Sequence, residues 1–267
     1  MEKTETTIFV DWENLLIDLR AIQQNPKTDK RFKEPDFSFN IPEQLLSLIR
    51  SFLEPEEELK RIYFYASEPF TEVEPRIKGK KSEELEKYKK NNPEEYEEKV
   101  KKSGIIQSFN HEIAQQNQVK LRVGRVMFEF ACEFEGKEVH NGMEAEIPIP
   151  RLKLRQKQIN VLLAHDITKL YCTKQGGCIL LFSKDTDFVP VLEAAWEKGF
   201  EVFIANIQEC PISAPPDLRK SCDVRERSVA EILAKLPKAA TTSNTPKKEN
   251  SNEPFNSSFK DQLSKKN

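Results

Sequence analysis

The sequence predicts an α/β fold with a mainly parallel sheet. Short apolar runs at 7–10, 61–65 and 178–182 have the length and composition of buried strands. Segments with apolar residues at helical spacing lie between these runs. Strands that alternate with helices are typical of α/β domains, in which functional sites form at the carboxyl ends of the strands.

The first third of the chain predicts two strand–helix units. The strand at 7–10 ends at Asp11, and the helix that follows has its apolar side chains on one face: Leu15, Leu16, Leu19 and Ile22. Residues 25–40 are polar, contain two prolines and predict a loop. A helix is expected over 41–53, before Pro55, and a second strand over 61–65.

Residues 74–102 differ from the rest because lysine and glutamate alternate around Tyr88 and Tyr96. Such mixed charge is typical of a solvated helical insertion interrupted by Pro93. The alternative is a lid or an arm that binds a partner. A short amphipathic helix is expected at 105–113.

A β-hairpin extension is predicted over 121–149. Residues 121–134 alternate, with phenylalanines on one side and Glu129 and Glu133 on the other, and 143–149 alternate again. Asn141-Gly142 between them is a strong hairpin signal. The outer face of the hairpin is expected to be acidic.

Four cations follow the hairpin at a spacing of two: Arg151, Lys153, Arg155 and Lys157. In a strand, this spacing places them on one face. They could contact RNA phosphates, or they could only solvate a strand.

The last third predicts a helix at 158–171, the strand at 178–182, a helix at 189–198, a strand at 201–204 and a helix at 227–236. Residues 237–267 have six lysines, three acidic residues and few apolar side chains, so a disordered tail is expected. We therefore predict one domain over 1–236, with insertions near 71–102 and 126–150.

Composition excludes several classes of protein. The chain has 267 residues, and its 42 basic and 44 acidic residues exclude a global polycation, so any nucleic-acid site must be local. No apolar run reaches the 18 or more residues of a membrane helix, and no signal-peptide pattern begins the chain. We expect a cytoplasmic protein without membrane contacts. Five scattered cysteines without a CxxC pair favour neither a disulfide framework nor a zinc site.

Carboxylates follow two of the predicted strands. Asp11 follows the first strand, and Asp185 and Asp187 follow the strand at 178–182. If these strands are neighbours, Asp11 and Asp185 converge at one edge, where a hard cation such as Mg²⁺ could be held. Helix capping is the alternative for Asp11 and for Asp187, but it leaves Asp185 unexplained.

Asp166 lies in the middle of the apolar face of the helix at 158–171. An unpaired buried carboxylate is costly. Asp166 must therefore either meet a buried partner or reach a polar site at the edge of the sheet.

Three segments resemble the signature segments of the NYN domain, LabA-like type, in the PIN-like nuclease superfamily. They are IFVDWENL, KQINVLLAHD and LLFSKDTDFVPVLEAAWEKGFEVFI, and the resemblance spans about residues 6–236. It implies a Rossmann-like α/β/α sandwich and RNA cleavage that depends on Mg²⁺ or Mn²⁺. The acidic cluster it implies consists of Asp11, Asp166, Asp185 and Asp187. Asn14 matches the asparagine that helps to hold the first aspartate or the phosphate.

Two positions depart from the family pattern. Asn160 stands where an aspartate is common, so it either belongs to the site with one charge fewer or only caps its helix. Lys184 stands where a glycine is usual, and it could contact the scissile phosphate or point to solvent.

The resulting hypothesis is a metal-dependent endoribonuclease that cleaves single-stranded RNA with a metal-activated water. The main alternative is an RNA-binding or scaffolding module on the same fold with weak or no catalysis. A third is a HAD-like phosphatase, but that chemistry expects an aspartate where Glu13 stands. Homo-oligomerisation stays open.

Overall fold

The computed structural model describes the backbone of residues 3–140 and 143–236 and the side chains of 3–130 and 151–236. Its described residues form two compact units. The first consists of 3–67, 107–124 and 158–236. The second consists of 68–106 and 125–157, which cover the two insertions predicted from the sequence.

Seven strands and nine α-helices occur among the described residues. The strands are β1 (Thr4–Asp11), β2 (Glu57–Ser67), β3 (Val119–His140), β4 (Met143–Lys157), β5 (Gly177–Phe182), β6 (Phe200–Ile207) and β7 (Asp223–Arg227). The helices are α1 (Trp12–Gln24), α2 (Pro42–Arg50), α3 (Phe70–Val73), α4 (Lys80–Asn91), α5 (Pro93–Ala114), α6 (Ile159–Thr173), α7 (Val189–Glu197), α8 (Pro216–Ser221) and α9 (Val229–Lys235).

The first unit contains a parallel sheet in the order β3-β2-β1-β5-β6-β7. Alternate residues of β1 pack on opposite faces of this sheet: Ile8 and Val10 contact the core under α1, α2 and α9, and Phe9 contacts the core under α6, α7 and α8. This alternation is the period of two that a strand imposes on its side chains. The predicted α/β sandwich with a mainly parallel sheet is confirmed.

The second unit contains the antiparallel pair of β3 and β4 together with α3, α4 and the first part of α5. Its small core consists of Phe70, Leu85, Tyr88, Phe128 and Leu152. The predicted hairpin is confirmed, although Asn141-Gly142 and the side chain of Glu133 lie outside the described residues. Only part of the outer face that was predicted to be acidic lies within the described side chains. In that part, Glu129 pairs with Arg155 at 3.1 Å.

Pro93 interrupts the charged helical segment, as predicted: α4 ends at Asn91, and Pro93 begins α5, because proline is favoured in the first turn of a helix. Two other predicted boundaries were wrong. The helix predicted at 105–113 is the end of this same α5. The predicted loop at 25–40 includes a 3₁₀ turn at Lys30–Phe32, and Phe32, Phe37 and Phe39 are buried.

The carboxyl-terminal elements also differ from the prediction. Residue 227 ends β7, and Ser228 begins the last helix through a capping box with Glu231. Both β7 and α8 were missed. Residues 237–267 lie outside the described residues, so the predicted tail is not tested. No helix in the described part of the chain is long and apolar enough to cross a bilayer.

Candidate metal-dependent site

The ends of β1 and β5 lie side by side, because Val10 pairs with Phe182 in the parallel register. The next residues, Asp11 and Ser183, therefore meet at the carboxyl edge of the sheet, and the Ser183 hydroxyl donates to Asp11 Oδ2 at 3.3 Å. Asp11 also caps α1 by accepting the Asn14 N–H at 3.4 Å. Capping and a place at the sheet edge thus coincide in one residue.

Asp11 is a buried carboxylate whose hydrogen-bond donors, Asn14 and Ser183, are neutral. Asp11 is only 5% exposed. Burial raises the pKa of its carboxyl group to about 6, and the nearby charge of Asp185 adds to the shift. Hydrogen bonds from Asn14 and Ser183 offset only part of this effect. Asp11 and Asp185 are therefore close enough to interact electrostatically, as their positions after neighbouring strands predicted.

Glu13 is a site residue that the sequence analysis missed. It lies in the first turn of α1, accepts a hydrogen bond from Ser67 at the end of β2, and has a pKa raised to about 7 by burial and by Asp11. Arg20 counters this shift. The available signal was the position of Glu13 two residues beyond a carboxylate at the end of a strand.

The loop after β5 places Asp185 and Asp187 differently from the capping alternative. Asp185 caps a 3₁₀ turn at Thr186–Phe188 by accepting the Asp187 N–H at 3.0 Å, whereas α7 begins without a side-chain cap. Capping by Asp187 was therefore wrong. Asp185 is half-buried and Asp187 is exposed.

Asn160 reaches this loop from the first turn of α6. Its amide NH₂ donates to Asp185 Oδ2 at 3.1 Å and to Asp187 Oδ2 at 3.2 Å. Gln158 occupies the cap position of α6. The alternative in which Asn160 only caps a helix was therefore wrong, and the neutral amide lies between two carboxylates.

Asn14 connects the two strand ends. Its amide NH₂ approaches Asp11 Oδ2 at 3.5 Å, and its carbonyl oxygen accepts the backbone N–H of Lys184 at 3.2 Å. The side chain of Asn14 thus fixes the position of Asp11 relative to the loop after β5.

Lys184 fulfils neither predicted alternative. It is 9% exposed, and its ammonium group pairs with Asp18 of α1 at 2.7 Å and donates to the carbonyl of Ile212. The long side chain lies inside the protein, where its charge is matched. The predictions that Lys184 contacts a phosphate or points to solvent were both wrong.

Asp166 has a buried partner, which is the first of the two alternatives predicted for this carboxylate on the apolar face of α6. Arg122 of β3 donates to both carboxylate oxygens, at 2.7 and 3.0 Å, and the Tyr65 hydroxyl donates at 2.9 Å. Both oxygens are therefore held by protein donors. A direct role of Asp166 at a metal stays a prediction.

The four cations predicted to follow the hairpin lie within its second strand, because β4 continues to Lys157. They share one face of β4, opposite Leu152 and Leu154, which pack on the core of the second unit. Ion pairs within the described side chains join Arg151 to Glu95 at 3.3 Å and Arg155 to Glu129 at 3.1 Å. Their spacing on one face is as predicted. Part of their charge is neutralised within the unit, and an RNA contact by Arg151, Lys153, Arg155 or Lys157 stays a prediction.

The donor set at the strand ends fits a hard divalent cation. Carboxylate and amide oxygens are the ligands that Mg²⁺ and Mn²⁺ prefer, and Asp11 is a buried anion that a cation would stabilise. Within the described residues, no three His, Cys, Asp or Glu side chains are grouped closely enough to hold one ion. The predicted metal ligands Asp11, Asp166, Asp185 and Asp187 stay a prediction.

Comparison with known proteins gives one match. The family model described as NYN domain matches residues 5–228, which is most of the chain. Neither the curated proteins nor the solved structures contain a match.

Proposed function

This chain belongs to the NYN domain family, and from that premise we propose that it is a metal-dependent endoribonuclease that cleaves single-stranded RNA. The family and its fold are consistent with the PIN-like nucleases. The single observation that carries the finer proposal is the buried, raised-pKa carboxylate of Asp11 beside Asp185 at the carboxyl ends of two adjacent parallel strands.

Each group at the edge has a defined part in this proposal. Asp11 and Asp185 would hold Mg²⁺ or Mn²⁺, and Asn14 and Ser183 orient Asp11. When bound, the cation lowers the pKa of a coordinated water and neutralises charge on the phosphate oxygens. Glu13, with a pKa of about 7, can take up or release a proton at neutral pH.

The test is cleavage of a labelled, unstructured RNA in Mg²⁺, in Mn²⁺ and in EDTA. EDTA should abolish cleavage, and Asp185→Asn should reduce it by at least about 100-fold, because the variant removes a charge from the metal site but keeps the cap. Asp217→Asn is the matched control, since it makes the same exchange at an exposed position of α8.

Melting curves of both variants exclude unfolding as the cause of a loss. If Asp185→Asn cleaves as fast as the parent protein, the assignment of the metal site is wrong.

A second function is favoured by one specific observation. The NH₂ of Asn160 lies between Asp185 and Asp187, so a neutral donor takes a position where a third carboxylate would attract a cation. A module that binds RNA without cleaving it fits this arrangement. It predicts RNA binding in EDTA and no cleavage in millimolar Mg²⁺ or Mn²⁺.

A further inference from the structure

The second unit contains a groove between α4 and the strand β3, with a volume of about 530 Å³. This is within the usual range of ligand sites, about 300–1,000 Å³. One side of the groove consists of side chains of α4 and of the turn after it, and the other side consists of the aromatic part of β3. The residues that matter for recognition are Lys81, Lys87, Asn91, Asn92, Phe128 and Phe130.

The aromatic wall is a cluster of rings in tilted and edge-to-face contact, of which Phe130 is the most accessible. Phe130 is half-buried, and its ring centroid lies 5.6 Å from that of Tyr88 and 5.7 Å from that of Phe128. Phe128 is buried, and the ammonium group of Lys81 lies 5.5 Å from its ring centroid. Phe130 thus packs against two rings and leaves part of its own ring accessible to a planar ligand.

The opposite wall carries positive charge and amide groups. Helix α4 has five lysines and three glutamates, so it is net positive in a chain that is net negative. Lys81, Lys87 and Asn91 are exposed at the groove. Of the two acidic residues that line it, Glu129 is neutralised by Arg155 at 3.1 Å, which leaves Glu84 against two lysines.

We propose that this groove binds single-stranded RNA, with a base on Phe130 and phosphates near Lys81 and Lys87. The identity of the ligand rests on the proposed function, and the location of the site does not. Single-stranded nucleic acids are bound by this combination of an aromatic platform and a cationic track. The amides of Asn91 and Asn92 can donate to and accept from the edge of a base.

The test measures binding of a fluorescein-labelled oligouridine RNA by the full chain in EDTA, so that cleavage does not interfere. Lys81→Gln/Lys87→Gln should weaken binding and reduce the slope of log affinity against log salt by about 1.4, since each phosphate contact contributes about 0.7. Lys80→Gln/Lys90→Gln is the matched control, because it removes two charges from the same helix outside the groove. Phe130→Ala should weaken binding at least about fivefold through lost stacking.

The outcomes separate this site from the catalytic proposal. Weaker binding by both groove variants, with melting temperatures and the control variant unchanged, supports the groove even if the protein cleaves nothing. Equal losses in the two double-lysine variants would mean that α4 attracts RNA by its net charge alone, and the groove proposal is then wrong. Unchanged RNA affinity in Phe130→Ala and in the Lys81→Gln/Lys87→Gln variant would mean that the groove does not bind RNA, and it would leave the nuclease proposal intact.

Discussion

The amide of Asn160 donates hydrogen bonds to two carboxylates that would otherwise repel each other. In the absence of a metal it stabilises the loop after β5, since it bridges Asp185 and Asp187 at 3.1 and 3.2 Å. The NH₂ group of Asn160 cannot coordinate a cation, whereas the carbonyl oxygen of the same side chain can. At the proposed metal site, Asn160 would therefore exchange metal affinity for order in the metal-free protein.

Asn160→Asp should reverse this exchange. A third carboxylate beside Asp185 and Asp187 should lower the metal concentration for half-maximal cleavage about fivefold or more, because an added charge near a cation contributes on the order of 1 kcal/mol or more. It should also lower the melting temperature in EDTA, since like charges are then adjacent, and increase the stabilisation by Mn²⁺. Both effects can be measured by metal titration and by thermal unfolding.

Asn160→Ala is the control for this experiment, because it removes the two hydrogen bonds without adding charge. If the metal titrations of Asn160→Asp and the parent protein coincide, Asn160 does not belong to the metal site.

Asp11 should make the stability of the metal-free protein depend on pH. Its pKa is about 6 in the folded protein, above the ordinary value of 3.8 for an aspartate, so the folded state binds the proton more tightly than the unfolded state. The stability that protonation contributes is present at low pH and is lost as the pH rises through about 6. Asp11→Asn should therefore stabilise the protein by as much as about 3 kcal/mol at pH 8 and by about half as much at pH 5.

Melting curves in EDTA at the two pH values check this, with the exposed Asp217→Asn as control. A stabilisation by Asp11→Asn that is the same at pH 5 and pH 8 would mean that the carboxylate is charged in both conditions. Asparagine caps α1 as well as aspartate does, so the comparison isolates the charge.

Residue positions that follow directly from strand order were predictable, and those that depend on distant partners were not. Asp11 and Asp185 were predicted because each follows an apolar run. Lys184 was not, because its burial depends on Asp18, which lies in a different element far away in the sequence. The pairing of Asp166 with Arg122 was left open for the same reason.

At the scale of elements, buried ion pairs connect segments that the apolar core alone does not fix. The pair of Lys184 and Asp18 joins the end of β5 to α1, and the Ile212 carbonyl adds the loop after β6. Asp166 joins α6 to β2 and β3 through Tyr65 and Arg122. These contacts hold the elements that border the site.

Lys184→Met should destabilise the protein by about 3–5 kcal/mol, because it leaves Asp18 without its cation in a largely buried position. Asp18→Asn/Lys184→Met should recover most of the loss, since replacing both charges of a buried pair is often neutral. Chemical denaturation of the two variants measures the difference.

The exposed pair of Lys220 and Asp217, at 3.5 Å, is the matched comparison, and Lys220→Met should cost less than about 1 kcal/mol. A loss in Lys184→Met no greater than that in Lys220→Met would mean that the buried pair contributes little.

Element prediction succeeded where strands are apolar and failed where ion pairs replace apolar burial. The runs at β1 and β5 were recognised from composition. Strand β7 has the polar sequence DVRER, and its central Arg225 is buried by a pair with Glu57 at 2.8 Å. A strand buried in this way has no apolar run or alternation to detect.

At the scale of the whole molecule, two insertions that are far apart in the sequence share one core. Leu85 and Tyr88 come from the charged helical segment, and Phe128 and Leu152 come from the hairpin. Each set is apolar on one face only, so the first was predicted as a solvated helical insertion and the second as a separate β-hairpin extension. The sequence contains no signal for their mutual packing, because neither segment alone shows which face is covered.

Residues 237–267 should be dispensable for folding. Their few apolar side chains cannot offset the entropy of ordering the segment, so a chain that ends at Leu236 should keep its melting temperature within about 1 °C.

A chain that ends at Arg227 is the contrast, because it also loses α9, whose Val229 and Ile232 are buried in the core of the first unit. Loss of two buried aliphatic side chains should lower the free energy of unfolding by several kcal/mol. By the usual relation between unfolding free energy and melting temperature, the melting temperature should fall by roughly ten degrees or more. Thermal unfolding of the two shortened chains and of the full chain distinguishes the cases. A clearly lower melting temperature for the chain that ends at Leu236 would mean that the last residues pack on the domain. Phe255 and Phe259 are the largest apolar side chains that could make this contact.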